Sequence, residues 1–250
     1  MSRPAPRLHV DAPLEAGAEV ALDAGQAHYL FHVLRLGAGA EVRLFNGRDG
    51  EWRAIIATAS KRGATVRPDS RTRAQSVPAP LVLAFAPLKK DAMDFLVAKA
   101  TELGATELRP VLTERTETRR VNLERLRAQA REAAEQCERL DVPTVSEPLA
   151  LAAFLADWPG TRPLWAGDET GAGTPFADAL MGTARPGHGA EGILIGPEGG
   201  FTVDELASLE TLAFVRRIDL GPRTLRAETA ALAALACWQA LLCKRGGLDQ

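Results

Sequence analysis

Two glycine-containing stretches, each lying between an apolar run and a helical pattern, constrain the fold of this chain most strongly. The first is ILIGPEGGF at residues 193–201, and the second is LGPRTLRAETAA at residues 220–231. In both, aliphatic residues suited to a buried strand end at Gly-Pro, and helical periodicity begins a few residues later. Each stretch therefore predicts a strand, a tight loop and a helix.

The helices after the two loops have recognisable starts. Thr202 is a predicted N-cap with Glu205 at capping-box spacing, and an alanine-rich helical pattern runs from Leu225 to about Cys243. Ligands of open α/β sheets bind beyond the carboxyl ends of the strands, where glycine lets the main chain approach closely. The two loops are therefore the candidate site. The alternative interpretation is that they are ordinary turns between strand and helix.

Composition favours a globular protein with two domains. The chain has 250 residues, of which 46% are hydrophobic and 25% are charged, as in ordinary soluble domains. Residues 1–11 lack the apolar segment of a signal peptide. The longest apolar stretch, near residues 230–243, is shorter than the roughly 20 residues that span a bilayer. We expect a cytoplasmic protein without a membrane segment.

Cysteine and histidine give no basis for a metal site. Cys137, Cys237 and Cys243 lack CxxC spacing, and an odd number of cysteines does not suggest a disulfide framework. His28 and His32 could share a helix face, but no acidic third ligand accompanies them. We predict no bound metal.

Charge is divided unevenly along the chain. The formal net charge is −2, which argues against a non-specific coat on nucleic acid. Residues 1–75 carry 11 Lys and Arg against 8 Asp and Glu, whereas residues 76–250 carry 19 against 24. A small basic module on an acidic body permits RNA binding through a local patch without requiring it.

Residues 1–72 are predicted to form a small β-rich domain. Strand patterns lie at residues 20–22, 41–45 and 52–57. Asn46-Gly47 with Asp49-Gly50 indicates a hairpin between the last two strands. Residues 27–36 predict a helix with inward-facing side chains at Tyr29, Leu30, Val33, Leu34 and Leu36.

The stretch from residue 67 to residue 80 is polar and proline-bearing, and we place the linker between the domains at residues 73–80. From residue 81 to residue 250, strand and helix patterns alternate. This alternation predicts a mostly parallel sheet covered by helices on both faces. The predicted strands are residues 81–86, 108–112, 142–145, 163–166, 193–195 and 215–220.

The glycine loop does not match the common phosphate-binding motifs. A dinucleotide fold needs G-x-G-x-x-G after its first strand, and a P-loop needs Gly-Lys followed by Ser or Thr. Here Pro197 and Glu198 stand where a pyrophosphate needs bare N–H groups. A neutral or cationic ligand suits the loop better, and S-adenosylmethionine, with its sulfonium, is one such ligand.

LIGPEGGF and LGPRTLRAETAAL together resemble the C-terminal motifs of the SPOUT knotted methyltransferases, and specifically of the RsmE family of ribosomal RNA uridine-N3 methyltransferases. The resemblance extends to HYLFHVLRL, LFNGRDGEW, KKDAMDFLVAKATELGA, Glu114-Arg115 and REAAEQCERLDVP. It covers nearly the whole chain in the family's order. The chain departs from the family at Cys137-Glu138, where Ser-Gly is expected, and it matches weakly in WAGDETGAGTP at residues 165–175.

The resemblance implies an N-terminal PUA-like β-barrel domain and a SPOUT α/β domain with a deep trefoil knot, contrary to the general rule against knots. It also implies a homodimer that methylates N3 of one uridine in small-subunit (16S) ribosomal RNA, naked or within the 30S subunit. The cofactor would be S-adenosyl-L-methionine. Its expected contacts are Leu194, Ile195, Gly196, Pro197, Gly199, Gly200, Leu220, Gly221 and Leu225.

The chemistry of this reaction needs a base, because uridine N3 carries a proton and must be unpaired before transfer. Glu198 and Glu228 are the carboxylates nearest the expected site, and either could accept the N3 proton, with Glu198 as the hypothesis to be tested first. Arg226 or Arg223 would stabilise the developing uracil anion. The alternatives are that Glu228 satisfies main-chain N–H groups at its helix start and that Glu198 binds main chain within its own loop.

Several arginines are candidates for RNA contacts that position the nucleic acid through its phosphates. Arg115, Arg119 and Arg120 lie in a turn-like stretch before a helix cap at Asn122. The further candidates are Arg35, Arg48, Arg139 and Arg223. The alternative is that these arginines are simply solvated.

Two other functions stay open at this point. One is a non-catalytic RNA-binding or ribosome-assembly protein that retains the fold, which the absence of cofactor binding would reveal. The other is a knotted enzyme that methylates transfer RNA or a ribose 2′-hydroxyl, for which the deprotonating group would differ.

Overall fold

The computed structural model describes residues 5–60, 63–182 and 190–242. By their contacts the residues form two compact units, Met1–Val77 with Ala134–Val142 and Pro78–Ala133 with Pro143–Gln250. In sequence, residues 134–142 lie between the two segments of the second unit, yet they pack in the first unit. The linker at residues 73–80 stays a prediction.

The first unit is built on a curled sheet of five strands. They are β1 (Arg7–His9), β2 (Val20–Leu22), β3 (Glu41–Phe45), β4 (Glu51–Ser60) and β5 (Gly63–Arg73). Their order is β1-β3-β4-β5-β2, antiparallel except that β1 runs parallel to β3. Alternate side chains, among them Leu44 and Ile56, fill the core of this unit.

The predicted hairpin between β3 and β4 is confirmed, and the buried side chain of Asn46 holds its turn. The Asn46 side-chain oxygen accepts hydrogen bonds from the N–H groups of Arg48 and Asp49 at 3.0 and 2.9 Å. Gly50 has a φ of +84°, and a Cβ there would overlap the carbonyl oxygen of Arg73. Only glycine fits that position.

The helix predicted at residues 27–36 begins earlier and changes type. Helix α1 (Ala24–His28) starts at a capping box formed by Asp23 and Gln26, and a π-helical turn follows at Tyr29–Val33. Leu30 is buried as predicted, whereas the inward orientation predicted for Val33 is wrong, since this side chain is 59% exposed. Consecutive residues are separated by a smaller rotation in a π-helical turn than in an α-helix. The side chain of Val33 is therefore rotated away from the core.

The polar stretch after residue 67 is partly strand. β5 continues to Arg73 and pairs with the first residues of β4. Most side chains of residues 67–73 are exposed, so the segment lacks the apolar alternation that indicates a strand. This strand is therefore absent from the strands predicted from the sequence.

Glu51, at the start of β4, is the centre of a buried polar cluster in the first unit. Its carboxylate accepts hydrogen bonds from Arg7 Nε at 2.7 Å, Arg43 Nη1 at 3.0 Å and Thr72 Oγ1 at 2.9 Å. Burial alone would raise the pKa of Glu51, but these hydrogen bonds outweigh it and hold the pKa below its ordinary value. Arg7 also donates to the carbonyl oxygens of Ala134, Glu135 and Arg139, which ties residues 134–142 to the sheet.

The second unit has a sheet of eight parallel strands. They are β6 (Leu81–Phe85), β7 (Glu107–Leu112), β8 (Thr144–Val145), β9 (Leu149–Ala150), β10 (Leu164–Gly167), β11 (Thr174–Pro175), β12 (Glu191–Ile195) and β13 (Val215–Asp219). The order is β11-β13-β10-β12-β6-β7-β8, with β9 also paired to β7. The alternation seen in the sequence correctly predicted a parallel sheet.

Helices cover both faces of this sheet. They are α2 (Lys90–Glu102), α3 (Leu123–Gln136), α4 (Leu151–Asp157), α5 (Phe176–Gly182), α6 (Val203–Glu210) and α7 (Ala227–Leu242). Helices α2 and α5 pack on α7 on one face, and α4 and α6 pack into an apolar cluster on the other. The predicted helix end near Cys243 lies outside the described residues. Within the described chain, no helix has the length and apolarity needed to cross a membrane.

Two apolar side chains of these helices are exposed. Phe95 of α2 is 48% exposed, because the buried face of the helix consists of Met93, Leu96, Val97, Ala100 and Thr101. Those positions recur at helical spacing, and Phe95 lies outside the stripe that they form. Val203, the first residue of α6, is likewise exposed.

A buried carboxylate joins the sheet to α7. Glu191, the first residue of β12, accepts hydrogen bonds from the indole N–H groups of Trp165 in β10 and Trp238 in α7, at 2.8 and 2.9 Å. The two donors compensate the desolvation of the carboxylate. The register of α7 over the sheet is thereby specified by a polar contact.

Candidate functional site

The two glycine-containing loops lie at the same edge of the second unit's sheet. The first loop follows β12 and the second follows β13, and β10 runs between these strands. All three strands are parallel, so their carboxyl ends meet at one edge. The two predicted loops are therefore joined there by a third, at residues 168–173, which follows β10.

The first loop is a tight turn with close approach of main chain and side chains. Gly200 donates its N–H to the carbonyl oxygen of Pro197 at 2.9 Å and has a φ of +69°. A Cβ on Gly200 would overlap the carboxylate of Glu169, and one on Gly196 would lie 2.9 Å from the Phe201 ring. The glycines are needed here for conformation and for space.

Side chains from neighbouring loops hold this turn in place. Arg115 donates from Nη1 to the carbonyl oxygens of Gly199 and Phe201 at 2.7 and 3.3 Å. From the other side, Glu169 accepts the N–H of Phe201 at 3.2 Å. The peptide groups of Gly199 and Phe201 are thus fixed by side chains on either side of the turn.

Glu205 adds a link between the first loop and the segment that follows β7. The predicted capping box is confirmed, since Thr202 and Glu205 exchange side-chain to main-chain hydrogen bonds at 3.2 and 2.9 Å. The other carboxylate oxygen of Glu205 accepts the N–H of Glu114 at 2.8 Å. One side chain therefore caps α6 and positions the loop that carries Arg115.

The third loop is anchored by a buried ion pair. Asp168 accepts hydrogen bonds from Thr170 and from Arg217 of β13, the latter at 2.6 Å. Burial by itself would raise the pKa of Asp168, but the hydrogen bonds from Thr170 and the Arg217 cation hold that pKa below its ordinary value. A fixed Asp168 orients its neighbour Glu169 toward the glycine turn.

Glu228 occupies an unusual position in the first turn of α7. Its Oε2 atom is buried and has no hydrogen-bond partner among the described residues. The interpretation that Glu228 satisfies main-chain N–H groups at the helix start therefore finds no support in the hydrogen bonds of this oxygen. A buried acceptor left open in the protein is a place where a ligand can donate.

The predicted cofactor residues lie in or next to the two loops and differ in how deeply they are buried. Leu194, Ile195 and Gly200 are buried, whereas Gly196, Pro197, Leu220 and Leu225 are half-buried and Gly199 and Gly221 are exposed. Of the predicted catalytic residues, Glu198 and Arg226 are exposed. Glu198 lies on the side of its loop that faces the carboxyl ends of β6 and β7, where it lines a small cavity.

The predicted RNA-contacting arginines differ in how they are engaged. Arg139 is mostly buried in an ion pair with Asp141 at 2.6 Å, and Arg115 is committed to the glycine turn. Arg48 donates to the Asp11 carbonyl oxygen at 2.8 Å. The remaining candidates, Arg35, Arg119, Arg120 and Arg223, are exposed.

Cysteine and histidine side chains of the described residues do not form a cluster at this edge of the second unit's sheet. Within the described residues, no three His, Cys, Asp or Glu side chains are placed to hold a metal ion. Cys137 and Cys237 are free thiols, and burial raises the pKa of Cys237. Cys243 lies outside the described residues.

Three supporting residues were missed in the sequence, namely Asp168, Glu169 and Arg217. The first two lie in the WAGDETGAGTP stretch, which resembles the family only weakly. A signal was nevertheless present, because an acidic pair directly after a buried strand lies at the ligand-binding edge of a parallel sheet.

Family models recognise both units. An RNA methyltransferase domain matches residues 75–239, and an RNA methyltransferase PUA domain matches residues 22–69. The parallel sheet with its glycine loop and the curled N-terminal sheet thus define an RNA methyltransferase that carries a PUA domain. The predicted fold class is confirmed in these respects, and the trefoil knot stays a prediction.

Individual relatives narrow the class further. Ribosomal RNA small subunit methyltransferase E of Rickettsia conorii is 33% identical over 231 residues, which cover 92% of this chain and 93% of that protein. The same enzyme of Neisseria gonorrhoeae, whose crystal structure has S-adenosyl methionine bound, superposes with a TM-score of 0.85 at 29% identity, covering 95% of this chain and 98% of that one. The chain belongs to the ribosomal RNA small subunit methyltransferase E family, as its motifs predicted.

Proposed function

We propose that this protein methylates N3 of a specific uridine in small-subunit ribosomal RNA, with S-adenosylmethionine as the methyl donor. The observation that carries the proposal is the match to the Rickettsia and Neisseria enzymes over more than nine-tenths of the chain. The clamped glycine turn at the carboxyl edge of the sheet supports it, since this edge is where α/β folds bind ligands.

The chain's own residues fit the cofactor. Gly199 and Gly200 present main chain, the apolar residues Leu194, Leu220 and Leu225 suit the faces of an adenine ring, and Glu228 Oε2 offers a buried acceptor. A buried carboxylate oxygen without a protein donor suits an ammonium or hydroxyl group of the ligand. When bound, S-adenosylmethionine supplies a methyl group on an electrophilic sulfonium.

Glu198 is the proposed general base. Its carboxylate is exposed at the turn, where it is accessible to accept the proton of uridine N3. N3 then bonds to the methyl carbon as the carbon–sulfur bond breaks, and the electron pair of that bond stays on sulfur. The clamps on Gly199 and Phe201 keep Glu198 in place during this transfer.

Exposed arginines at the second loop and elsewhere on the surface are the proposed RNA contacts. Arg226 and Arg223 are exposed beside the second loop, where they can stabilise charge on a uracil carbonyl oxygen or contact phosphate. Arg119 and Arg35 are exposed as well and are further phosphate contacts in this proposal. The substrate is the ribosomal RNA or the assembled 30S subunit, which places the protein in the cytoplasm.

The exposed apolar side chains of the second unit favour a homodimer. Phe95 on α2, Met181 on α5 and Leu241 on α7 are all exposed, and these three helices pack on the same face of the sheet. Exposed apolar residues grouped on one face are typical of a subunit interface. The association that we propose uses this helical face.

One experiment separates this function from its alternatives. The purified protein is incubated with labelled S-adenosylmethionine and small ribosomal subunits that lack the modification, and the RNA is digested to nucleosides for mass analysis. We expect N3-methyluridine at a single site. Label in a ribose or in transfer RNA would indicate the other enzymatic alternative, and the absence of both transfer and cofactor binding would favour a non-catalytic RNA-binding protein.

A further inference from the structure

A cavity of about 200 Å³ lies at the carboxyl ends of β6, β7 and β12. Leu88 and Lys89 line it from the segment after β6, Glu117 and Thr118 from the segment after β7, and Pro197 and Glu198 from the glycine turn after β12. It is bounded by three loops of one parallel sheet, at the edge where such sheets bind ligands.

The cavity lies on the opposite side of the glycine turn from the second loop. In the order β13-β10-β12-β6-β7, the turn after β12 separates the loops of β10 and β13 from those of β6 and β7. The proposed cofactor residues at 220–225 and the open acceptor of Glu228 are on the β13 side. Glu198 belongs to the turn between the two sides and lines the cavity.

The cavity lining suits a small planar ring with polar edges. Leu88 is buried and, with Pro197, provides apolar surface for the faces of a ring. Thr118, Glu198 and Lys89 provide a hydroxyl, a proton acceptor and a cation at its rim. An unpaired base extruded from RNA requires this combination of apolar faces and edge contacts.

Lys89 is available to a ligand because its interaction within the protein is weak. Its ammonium is 3.8 Å from the Glu117 carboxylate, and the two side chains are 76% and 77% exposed. Exposed ion pairs of this kind contribute little to stability. A ligand with a negatively charged oxygen can therefore take the place of Glu117.

We propose that this cavity receives the target uracil and that Lys89 donates a hydrogen bond to the uracil oxygen on which charge develops. The inference rests on the proposed function. Glu198 takes the proton from N3, the negative charge spreads to the two carbonyl oxygens beside N3, and Lys89 stabilises that anion while N3 bonds to the methyl carbon.

The same arrangement discriminates against cytosine. Cytosine has no proton on N3 for Glu198 to accept, and it carries an amino group where uracil has an oxygen. Lys89 is a donor only, so it cannot hydrogen-bond to that amino group. A polar site that leaves its groups unpaired rejects a wrong base strongly. The cavity therefore accounts for selection of uracil.

The test compares Lys89→Met with Lys90→Met, which removes the same charge one residue away from a side chain that does not line the cavity. For Lys89→Met we expect kcat on small subunits to fall by roughly a hundredfold, with unchanged affinity for S-adenosylmethionine. The pH–rate profile should move to higher pH, because the uracil anion has lost a stabilising cation. Lys89→Arg should recover part of the rate, and Lys90→Met should behave as wild type.

The outcomes separate the acceptor site from the function itself. A Lys89→Met protein with unchanged kcat and pH profile overturns the cavity assignment and leaves the methyltransferase function intact. A higher KM that depends on salt, without a change in kcat, identifies Lys89 as a phosphate contact and also overturns it. If the wild-type protein forms no N3-methyluridine, the proposed function fails, and the acceptor assignment with it.

Discussion

At the scale of single residues, the candidate site depends on side chains that act through main chain. Arg115 holds the carbonyl oxygens of Gly199 and Phe201, Glu169 holds the N–H of Phe201, and Glu205 joins the start of α6 to the loop that carries Arg115. None of these contacts needs to touch the cofactor. They restrict a turn that would otherwise lose conformational freedom on binding, and such preorganisation increases affinity.

Arg115→Ala should weaken S-adenosylmethionine binding about tenfold, because charge-assisted hydrogen bonds to two carbonyl oxygens are lost. The measurement is calorimetric titration of the cofactor. Arg119→Ala is the matched control, since Arg119 makes only a long contact of 3.4 Å to the Glu114 carbonyl oxygen. Equal affinity in the two variants would contradict a positioning role for Arg115.

Glu198→Gln should abolish turnover while leaving the affinity for S-adenosylmethionine within about twofold, because the amide keeps the shape of the side chain but cannot accept the N3 proton. Single-turnover methyl transfer and calorimetry on the same preparation provide the two values. A variant that transfers methyl at the wild-type rate would rule out Glu198 as the base.

At the scale of elements, buried carboxylates specify how strands and helices meet. Glu191 connects β10, β12 and α7 through two indole N–H groups. Glu51 connects β1, β3, β4 and β5 and, through Arg7, the residues 134–142. In both cases one carboxylate satisfies several donors, so its removal leaves buried groups without partners.

Glu191→Ala should lower the free energy of unfolding by about 3 kcal/mol, since two buried indole N–H groups lose their acceptor. Glu191→Gln retains an oxygen at that position and should cost only about 1 kcal/mol. Urea denaturation of the two variants and the wild type measures both values. Equal losses would show that the charge of Glu191, rather than its oxygen, determines its contribution.

Stability should fall with acid in a way that depends on Glu51 and Asp168. Both have a folded-state pKa below the ordinary value, so their contribution is present above the unfolded pKa of about 4 and is lost as pH falls through the folded pKa. Glu51→Gln should lower stability at pH 7 and make its decline toward acid shallower. Unfolding curves parallel to those of wild type at every pH would contradict this assignment.

Across the whole molecule, features specified by neighbouring residues could be predicted from the sequence, whereas contacts between residues far apart in the chain could not. Apolar periodicity correctly predicted the parallel sheet, and Thr202 with Glu205 predicted the start of α6, because both signals lie within a few residues. The strand β1 was missed, since Arg7–His9 becomes a strand only by pairing with β3.

The same limit applies to the candidate site. The glycine turn could be predicted from its own residues. Arg115 was predicted to contact RNA, because its hydrogen-bond partner Gly199 is 84 positions away in the chain and nothing near Arg115 in the sequence indicates that contact. Residues 134–142 were read with the second domain because the helical pattern continues through them. Their partner Arg7 is more than a hundred residues away in the chain.

Titration of S-adenosylmethionine into Gly200→Val and Gly17→Val tests whether the turn at residues 196–200 forms the cofactor site. Both glycines have positive φ, at +69° and +81°, but only at Gly200 would the added side chain displace Glu169 from the turn. We expect a loss of affinity of at least about tenfold for Gly200→Val, because the added side chain displaces Glu169 and strains the turn itself at positive φ. Gly17→Val carries the same kind of strain in the first unit and should keep wild-type affinity. Wild-type affinity in both variants would contradict the assignment of the cofactor site to this turn.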